Sequence, residues 1–261
     1  MTTATTTVPY RVTPARVLRS EWHKLWTLRS TWITLIATSA LTLAMGAGIS
    51  AAYDGNGEAE LDTVVLILLG TQFAQLNLGV LGILSTAGEY STGQIRATMT
   101  AVPSRLPVLW AKAAVLAAVT FPLALWTNLL TFPLAQSFLS GTDHAASLGD
   151  PGVLRALVGN AVGLALFAVL ALGLGAVARS VPIATGAFIG LIMILPEVLA
   201  MLPYDIVDEA VRHFPGRALE TLTTAQPMPD APSPGMALLS LLLWTAAALA
   251  AAAAELKRRD V

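Results

Sequence analysis

Six long apolar stretches alternate with polar segments along this chain. Each stretch is close to the roughly 20 residues that a helix needs to cross the hydrocarbon core of a bilayer. The predicted transmembrane helices lie at about Trp32–Tyr53, Thr63–Thr86, Val108–Leu130, Val153–Val177, Ile183–Leu202 and Met236–Ala254. The fold class that we predict is an all-α polytopic membrane protein, with a six-span domain over residues 31–254.

Residues 1–12, which are polar and rich in Thr, are predicted to form a disordered tail. Thr13-Pro14 is typical of an N-cap followed by proline at the first helical position, so we predict a helix over residues 13–30. Its apolar side carries Leu18, Trp22, Leu25 and Trp26, and its other side carries Arg16, Arg19, His23 and Lys24. This pattern predicts an amphipathic helix in the headgroup layer; the alternative is an ordinary cytoplasmic surface helix.

The longest basic interruption runs from Ser85 to Lys112, between the second and third predicted spans. Its charged residues are Glu89, Arg96, Arg105 and Lys112. Tyr90, Ile95, Met99 and Val102 recur in it at near-helical spacing. Apolar groups on a water-exposed loop indicate a face that a partner covers, whereas a simple solvated loop would not need them.

The distribution of Lys and Arg predicts the orientation. Twelve of the 15 lie in the N-terminal segment, the second loop, the fourth loop and the C-terminal tail at residues 255–261. The first and third loops are acidic instead. We therefore expect both termini to be cytoplasmic, in a multi-pass protein of the plasma membrane.

The fifth predicted loop, Pro203–Gly235, carries two short amphipathic patterns, one over Asp205–Phe214 and one around Leu219 and Leu222. We interpret them as two short helices at the outer membrane surface, followed by a Pro-rich linker to the last span. A solvated loop with chance periodicity is the alternative.

Composition agrees with lipid as the solvent, because 55% of the residues are hydrophobic and only 12% are charged. The net charge of −1 argues against a broad basic surface for nucleic acid. The absence of cysteine excludes disulfides and thiolate chemistry, and the three histidines lie far apart in sequence, so we predict no metal site.

Few polar groups fall inside the predicted spans. With Lys112 assigned to the second loop and Arg155 to a span boundary, Glu197 is the only charged residue within a span. The neutral polar residues singled out for a substrate path are Gln72, Gln75, Asn77 and Asn128. Hydrogen bonding between helices is the alternative role for these amides.

The sequence carries no GxxxxGK[ST], HExxH or GxSxG pattern and no carboxylate pair at mid-membrane depth. We therefore predict that this polypeptide is not an enzyme and holds no cofactor of its own. The missing buried ionisable relay also argues against an ion-coupled secondary transporter. Energy for any transport would have to come from a partner.

Three segments together resemble the permease subunits of type-2 ABC exporters of actinobacteria. They are LRSEWHKLWTLRSTW near the N-terminus, EYSTGQIRATMTAVPSR in the second loop and YDIVDEAVRHFPGRALETL in the fifth loop. The resemblance extends to the six-span plan and covers nearly the whole chain.

This resemblance implies a half-transporter, in which two permease subunits, identical or paralogous, sit on two copies of a separate ATPase that binds ATP. It implies that the loop at residues 87–107 forms a coupling helix on the ATPase. The residues that match the motif are Glu89, Tyr90, Gly93, Ile95, Arg96 and Arg105. The N-terminal helix, with Arg16, Arg19, Trp22, Lys24 and Trp26, resembles the connecting helix that braces the same interface. A non-transporting membrane scaffold or regulatory subunit is the alternative function.

Overall fold

The computed structural model describes residues 13–53, 62–102, 104–226 and 231–258, and every regular element in these ranges is helical. The predicted all-α class is therefore confirmed. Residues 54–61 of the predicted acidic first loop lie outside the described residues, and so do three further features wholly or in part. They are the tail at 1–12, part of the Pro-rich linker (227–230) and the last three residues of the C-terminal tail (259–261).

The first half of the chain forms α1 (Pro14–Thr27), α2 (Arg29–Ala52), α3 (Thr63–Ile67), α4 (Thr71–Ser91), α5 (Gln94–Ala101) and α6 (Leu106–Leu139). Leu28 alone separates α1 from α2, and its extended backbone (φ −83°, ψ 125°) turns the chain between them. The α6 helix passes through Pro122 and Pro133 and ends at Leu139, so the helix of the third predicted span continues beyond Leu130. Helix-breaking residues are tolerated in membrane helices because neighbouring groups satisfy the freed backbone.

The second half forms α7 (Val153–Ala178), α8 (Val181–Ile189), a π-helical turn (Gly190–Ile194), α9 (Leu195–Ala200), α10 (Asp205–Arg212), α11 (Pro215–Thr223) and α12 (Pro234–Arg258). The α8 helix, the π-helical turn and α9 form one continuous helical unit over Val181–Ala200. The α12 helix extends into the predicted tail, where Arg105 Nη1 donates a 3.1 Å hydrogen bond to the carbonyl oxygen of Leu256. Such bonds satisfy carbonyl groups that a helix end leaves open.

Five helices in the described part of the chain are long and apolar enough to cross a membrane: α2, α6, α7, the unit Val181–Ala200, and α12. The predicted second span, Thr63–Thr86, is instead divided between α3 and α4 by a turn at Leu68–Gly70. Polar residues in this stretch lower the mean hydropathy of α4. This helix is not among the five candidate transmembrane helices.

The α7 helix is the centre of the bundle, packed mainly against α4, α6 and α12. Leu157, Leu164, Phe167 and Leu170 on α7 are fully buried. The outermost helices, by contrast, leave large apolar side chains exposed, among them Ile33 and Ile36 on α2 and Ile183 on α8. This arrangement is expected where lipid or another membrane protein surrounds the bundle.

Candidate functional site

Four charged side chains from three helices meet in one ion cluster: Glu21 and Lys24 of α1, Glu89 of α4 and Lys112 of α6. Lys112 Nζ lies 2.7 Å from Glu21 Oε2 and 2.7 Å from Glu89 Oε1. Lys24 Nζ lies 2.9 Å from Glu21 Oε1 and 3.1 Å from Glu89 Oε1. Each lysine therefore bridges the same two carboxylates, and the four charges cancel.

A fourth helix is joined to the ion cluster by a neutral group. Lys24 Nζ donates to Thr98 Oγ1 on α5 at 3.0 Å. Thr98 and Ile95 are the buried residues of this short helix. The cluster therefore connects the surface helix α5 with α1, α4 and α6.

Most of the ion cluster is shielded from water. The side chains of Glu21, Glu89 and Lys112 are only 6–7% exposed, and that of Lys24 is 26% exposed. Charges out of water are costly unless they are paired, and removing one partner of a buried pair typically destabilises a protein by about 3–5 kcal/mol. The four helices are thus held in one arrangement by groups that depend on one another.

Burial and two neighbouring carboxylates act on the pKa of Lys24 in opposite directions. Burial of the ammonium group lowers its pKa, but the hydrogen bond and charge of Glu21 and the nearby Glu89 outweigh burial, so the pKa is raised above the usual value. Lys24 is therefore charged at neutral pH and holds its two carboxylates by charge-assisted hydrogen bonds.

The residues predicted to couple to an ATPase divide into a buried and an exposed group. Glu89 and Ile95 face the protein interior, whereas Gly93 and Arg96 are exposed. Tyr90 is partly buried, with the guanidinium of Arg179 lying 5.2 Å from its ring centre. Arg105 is also partly buried, because it binds the end of α12. In this structure Glu89 and Arg105 thus bind groups of their own chain, and Arg96 is the charged motif residue left at the surface.

The side of α1 that packs against the rest of the protein differs from the apolar side predicted from the sequence. Val17, Glu21 and Leu25 are buried, while Leu18 and Trp22 are exposed. Lys24, predicted to lie on the polar side, points into the ion cluster because two carboxylates attract it there. Arg16 and Arg19 are exposed.

Trp22 and Trp26 remain together at the edge of α1, with ring centres 5.7 Å apart, and Trp26 lies 5.0 Å from Trp32 of α2. Trp32 Nε1 also donates to the carbonyl oxygen of Trp26 at 3.1 Å. Indole groups that combine an apolar body with one polar donor are typical of membrane interfaces.

Sequence reasoning missed Glu21, Thr98 and the buried position of Lys112. A signal was present for the charged pair. Glu21 and Glu89 are the sole acidic residues in the N-terminal segment and the second loop, and Lys112 lies within the apolar run VLWAKAAVL. A lysine in such a run needs a carboxylate partner, and Glu21 and Glu89 are two of the few acids near that end of the spans.

The residues predicted to line a substrate path do not share one surface. Gln72 and Gln75 line a cleft beside α9 and α11, and Gln75 Nε2 donates to Gln72 Oε1 at 2.6 Å. Asn77 is half-buried on the same helix.

Asn128 is instead enclosed between α6 and α7, where its Nδ2 donates to Asn160 Oδ1 at 3.0 Å. Asn160 Nδ2 in turn donates to Thr223 of α11 at 2.9 Å.

Glu197, the charged residue predicted within a span, is exposed. Its Oε1 accepts a hydrogen bond from Arg217 Nη2 at 2.9 Å.

Nowhere in the described ranges do three or more acidic or histidine side chains converge as metal ligands. The ion cluster is an electrostatic junction that joins α1, α4 and α6.

Known protein-family models and curated protein sequences contain no match to this chain.

Proposed function

We propose that this chain is the membrane-spanning permease subunit of an ATP-driven exporter of the type-2 ABC class. It forms the translocation path together with a second permease subunit, identical or paralogous, and takes its energy from a separate ATPase that binds ATP. The observation that carries the proposal is the ion cluster, which links the short surface helix α5 to α1, α4 and α6. Family resemblance in the same segment supports it.

The proposed topology has six membrane crossings, in which α3 and α4 together make the second. The chain from Thr63 to Ser91 contains 29 residues, which is enough to cross a bilayer despite the turn between the helices. Both termini then lie on the cytoplasmic side of the plasma membrane, with α1, α5 and the end of α12. The Lys and Arg distribution supports this orientation.

Coupling in this proposal begins at the exposed side of α5. A partner that binds Arg96 and its exposed neighbours pushes on a helix whose inner side contacts the ion cluster through Thr98. Because Lys24 and Lys112 each bridge Glu21 and Glu89, a displacement of α5 is passed to the ends of α4 and α6 rather than lost in a flexible loop. Energy released on the ATPase thus reaches membrane-spanning helices.

Copurification tests the proposal. The full-length chain, tagged and isolated from its native membranes in mild detergent, should bring down a P-loop ATPase. Loss of a hydrogen bond to a charged group costs about 1.5–3 kcal/mol, so Arg96→Glu should lower ATPase recovery by about tenfold or more. Arg212→Glu, on α10, is the matched control and should leave recovery unchanged.

Two results would overturn the proposal. One is wild-type protein that brings down no ATPase, which favours a membrane scaffold or regulatory subunit. The other is equal loss of ATPase in the Arg96→Glu and Arg212→Glu variants, which places the contact elsewhere.

A further inference from the structure

A cleft of about 470 Å³ opens at the end of α4 remote from Glu89. At about 1.5 Å per residue, Gln72 and Glu89 lie roughly 25 Å apart along the helix, so the cleft and the ion cluster are separate places. Leu68, Leu69, Ile192 and Met193 supply apolar walls, and Gln72 and Gln75 supply amide groups. Its volume suits a small organic molecule.

In the described part of the chain, more acidic than basic side chains line the cleft. Arg217 Nη2 donates to Glu197 Oε1 at 2.9 Å, and Arg217 Nη1 donates to Glu220 Oε2 at 3.2 Å. Two carboxylates therefore flank one guanidinium, and the cleft carries one net negative charge. The side chains of Glu197 and Glu220 are 68% and 46% exposed, so both carboxylates are accessible to a ligand.

The helix beside the cleft departs from regular α geometry at this place. The N–H of Leu195 donates to the carbonyl oxygen of Gly190, five residues back, and Pro196 follows without an N–H of its own. A proline inside a helix leaves a carbonyl without its donor, and π-helical turns occur frequently at functional sites. Gly216 allows α11 to approach, since a Cβ there would lie 2.9 Å from the carbonyl oxygen of Ile192.

We infer that this cleft binds an amphipathic organic cation. Apolar walls receive the body of such a molecule, while Glu197 and Glu220 attract its positive group more strongly than Arg217 repels it. The inference rests on the proposed function, because it names the class of molecule that the permease moves. Binding is measured on the isolated chain without an ATPase, so its failure is distinguishable from failure of the ATPase association.

The test uses two probes with the same apolar body and opposite charge, octyltrimethylammonium and octanesulfonate. Each is titrated below its micelle concentration into the full-length chain in lipid nanodiscs, with empty nanodiscs subtracted, and binding is followed by calorimetry. We expect saturable binding of octyltrimethylammonium with an affinity at least about tenfold above that of octanesulfonate. Absence of saturable binding, or equal affinity for the two probes, would overturn the inference.

Charge variants make the test specific to this cleft. Neutralising one charge near a ligand in water changes its binding by about 1 kcal/mol, or roughly fivefold. Glu197→Gln/Glu220→Gln should weaken cation binding by at least that factor, and Arg217→Gln should strengthen it. Glu209→Gln on α10, outside the cleft lining, is the matched control and should change nothing. Variants that leave cation affinity unchanged, or that shift it in the opposite direction, would contradict the inference.

Discussion

Lys112 and Glu89 face each other between α6 and α4, with Lys112 Nζ 2.7 Å from Glu89 Oε1. The same ammonium lies 2.7 Å from Glu21 Oε2 on α1, so one lysine joins three helices that are distant in sequence. A surface ion pair would contribute little, but these side chains are almost completely buried.

Lys112→Met should destabilise the protein by about 3–5 kcal/mol, because it leaves two buried carboxylates with Lys24 as their remaining lysine partner. Thermal unfolding in detergent, followed by intrinsic tryptophan fluorescence, measures the change. Lys257→Met, at an exposed position near the end of α12, is the matched control. A loss of stability no greater than that of the control would show that the ion cluster does not hold the helices together.

Thr98→Val keeps the shape of the side chain but removes the oxygen that accepts from Lys24 Nζ at 3.0 Å. A hydrogen bond to a charged group contributes about 1.5–3 kcal/mol, so amide hydrogens of α5 should exchange roughly ten- to a hundredfold faster, as measured by mass spectrometry. Thr100→Val serves as the control, since the Thr100 hydroxyl bonds the carbonyl oxygen of Arg96 within α5. Equal exchange rates in the two variants would show that the hydrogen bond between Lys24 and Thr98 does not stabilise α5.

Asn128→Leu should lower stability by about 1–3 kcal/mol, because Asn160 Oδ1 and the carbonyl oxygen of Leu157 each lose a buried donor. Unfolding temperature is the readout, and Asn77→Leu at a half-buried position is the comparison. If Asn128→Leu were as stable as the wild type while altering which molecules are transported, Asn128 would line a substrate path, as the sequence predicts.

Gly93→Ala should destabilise the junction between α4 and α5 by about 1–2 kcal/mol, since Gly93 has a positive φ of 72° that residues with a Cβ avoid. The effect comes from the backbone alone, because nothing lies within 4 Å of the added methyl group. Gly88→Ala, inside α4, is the control and should be neutral or stabilising. Hydrogen exchange of residues 91–97 distinguishes them, and similar rates in both variants would contradict the prediction.

Long apolar patterns predicted the main helices well, because a run of apolar residues with the length of a bilayer has few other stable states in lipid. The predicted span Val153–Val177 and the helix Val153–Ala178 differ by one residue at the end. The division of Thr63–Thr86 into α3 and α4 was not predicted. It occurs in a polar-rich stretch where helix packing, rather than hydropathy, decides the path of the backbone.

The candidate site was predicted less completely. Glu89 was singled out for its position in the second loop, but its contacts with Lys24 and Lys112 join residues 65 and 23 positions away. Periodicity within α1 placed Lys24 on the outer side, since an isolated amphipathic helix turns its charged residues toward water. Once α4 and α6 present carboxylate and ammonium groups to it, the buried ion cluster is the better environment for that lysine.

Hydropathy and segment length specify an all-helical chain with several helices suited to a membrane, because both act locally along the chain. Tertiary packing brings Lys112 and Glu89 together as one buried pair and lets Asn128 bond Asn160 inside the bundle. The same packing brings Glu197 and Arg217 together at the rim of a cleft. These pairings depend on which helix ends come together, and long-range packing sets that through the burial of charged and polar groups.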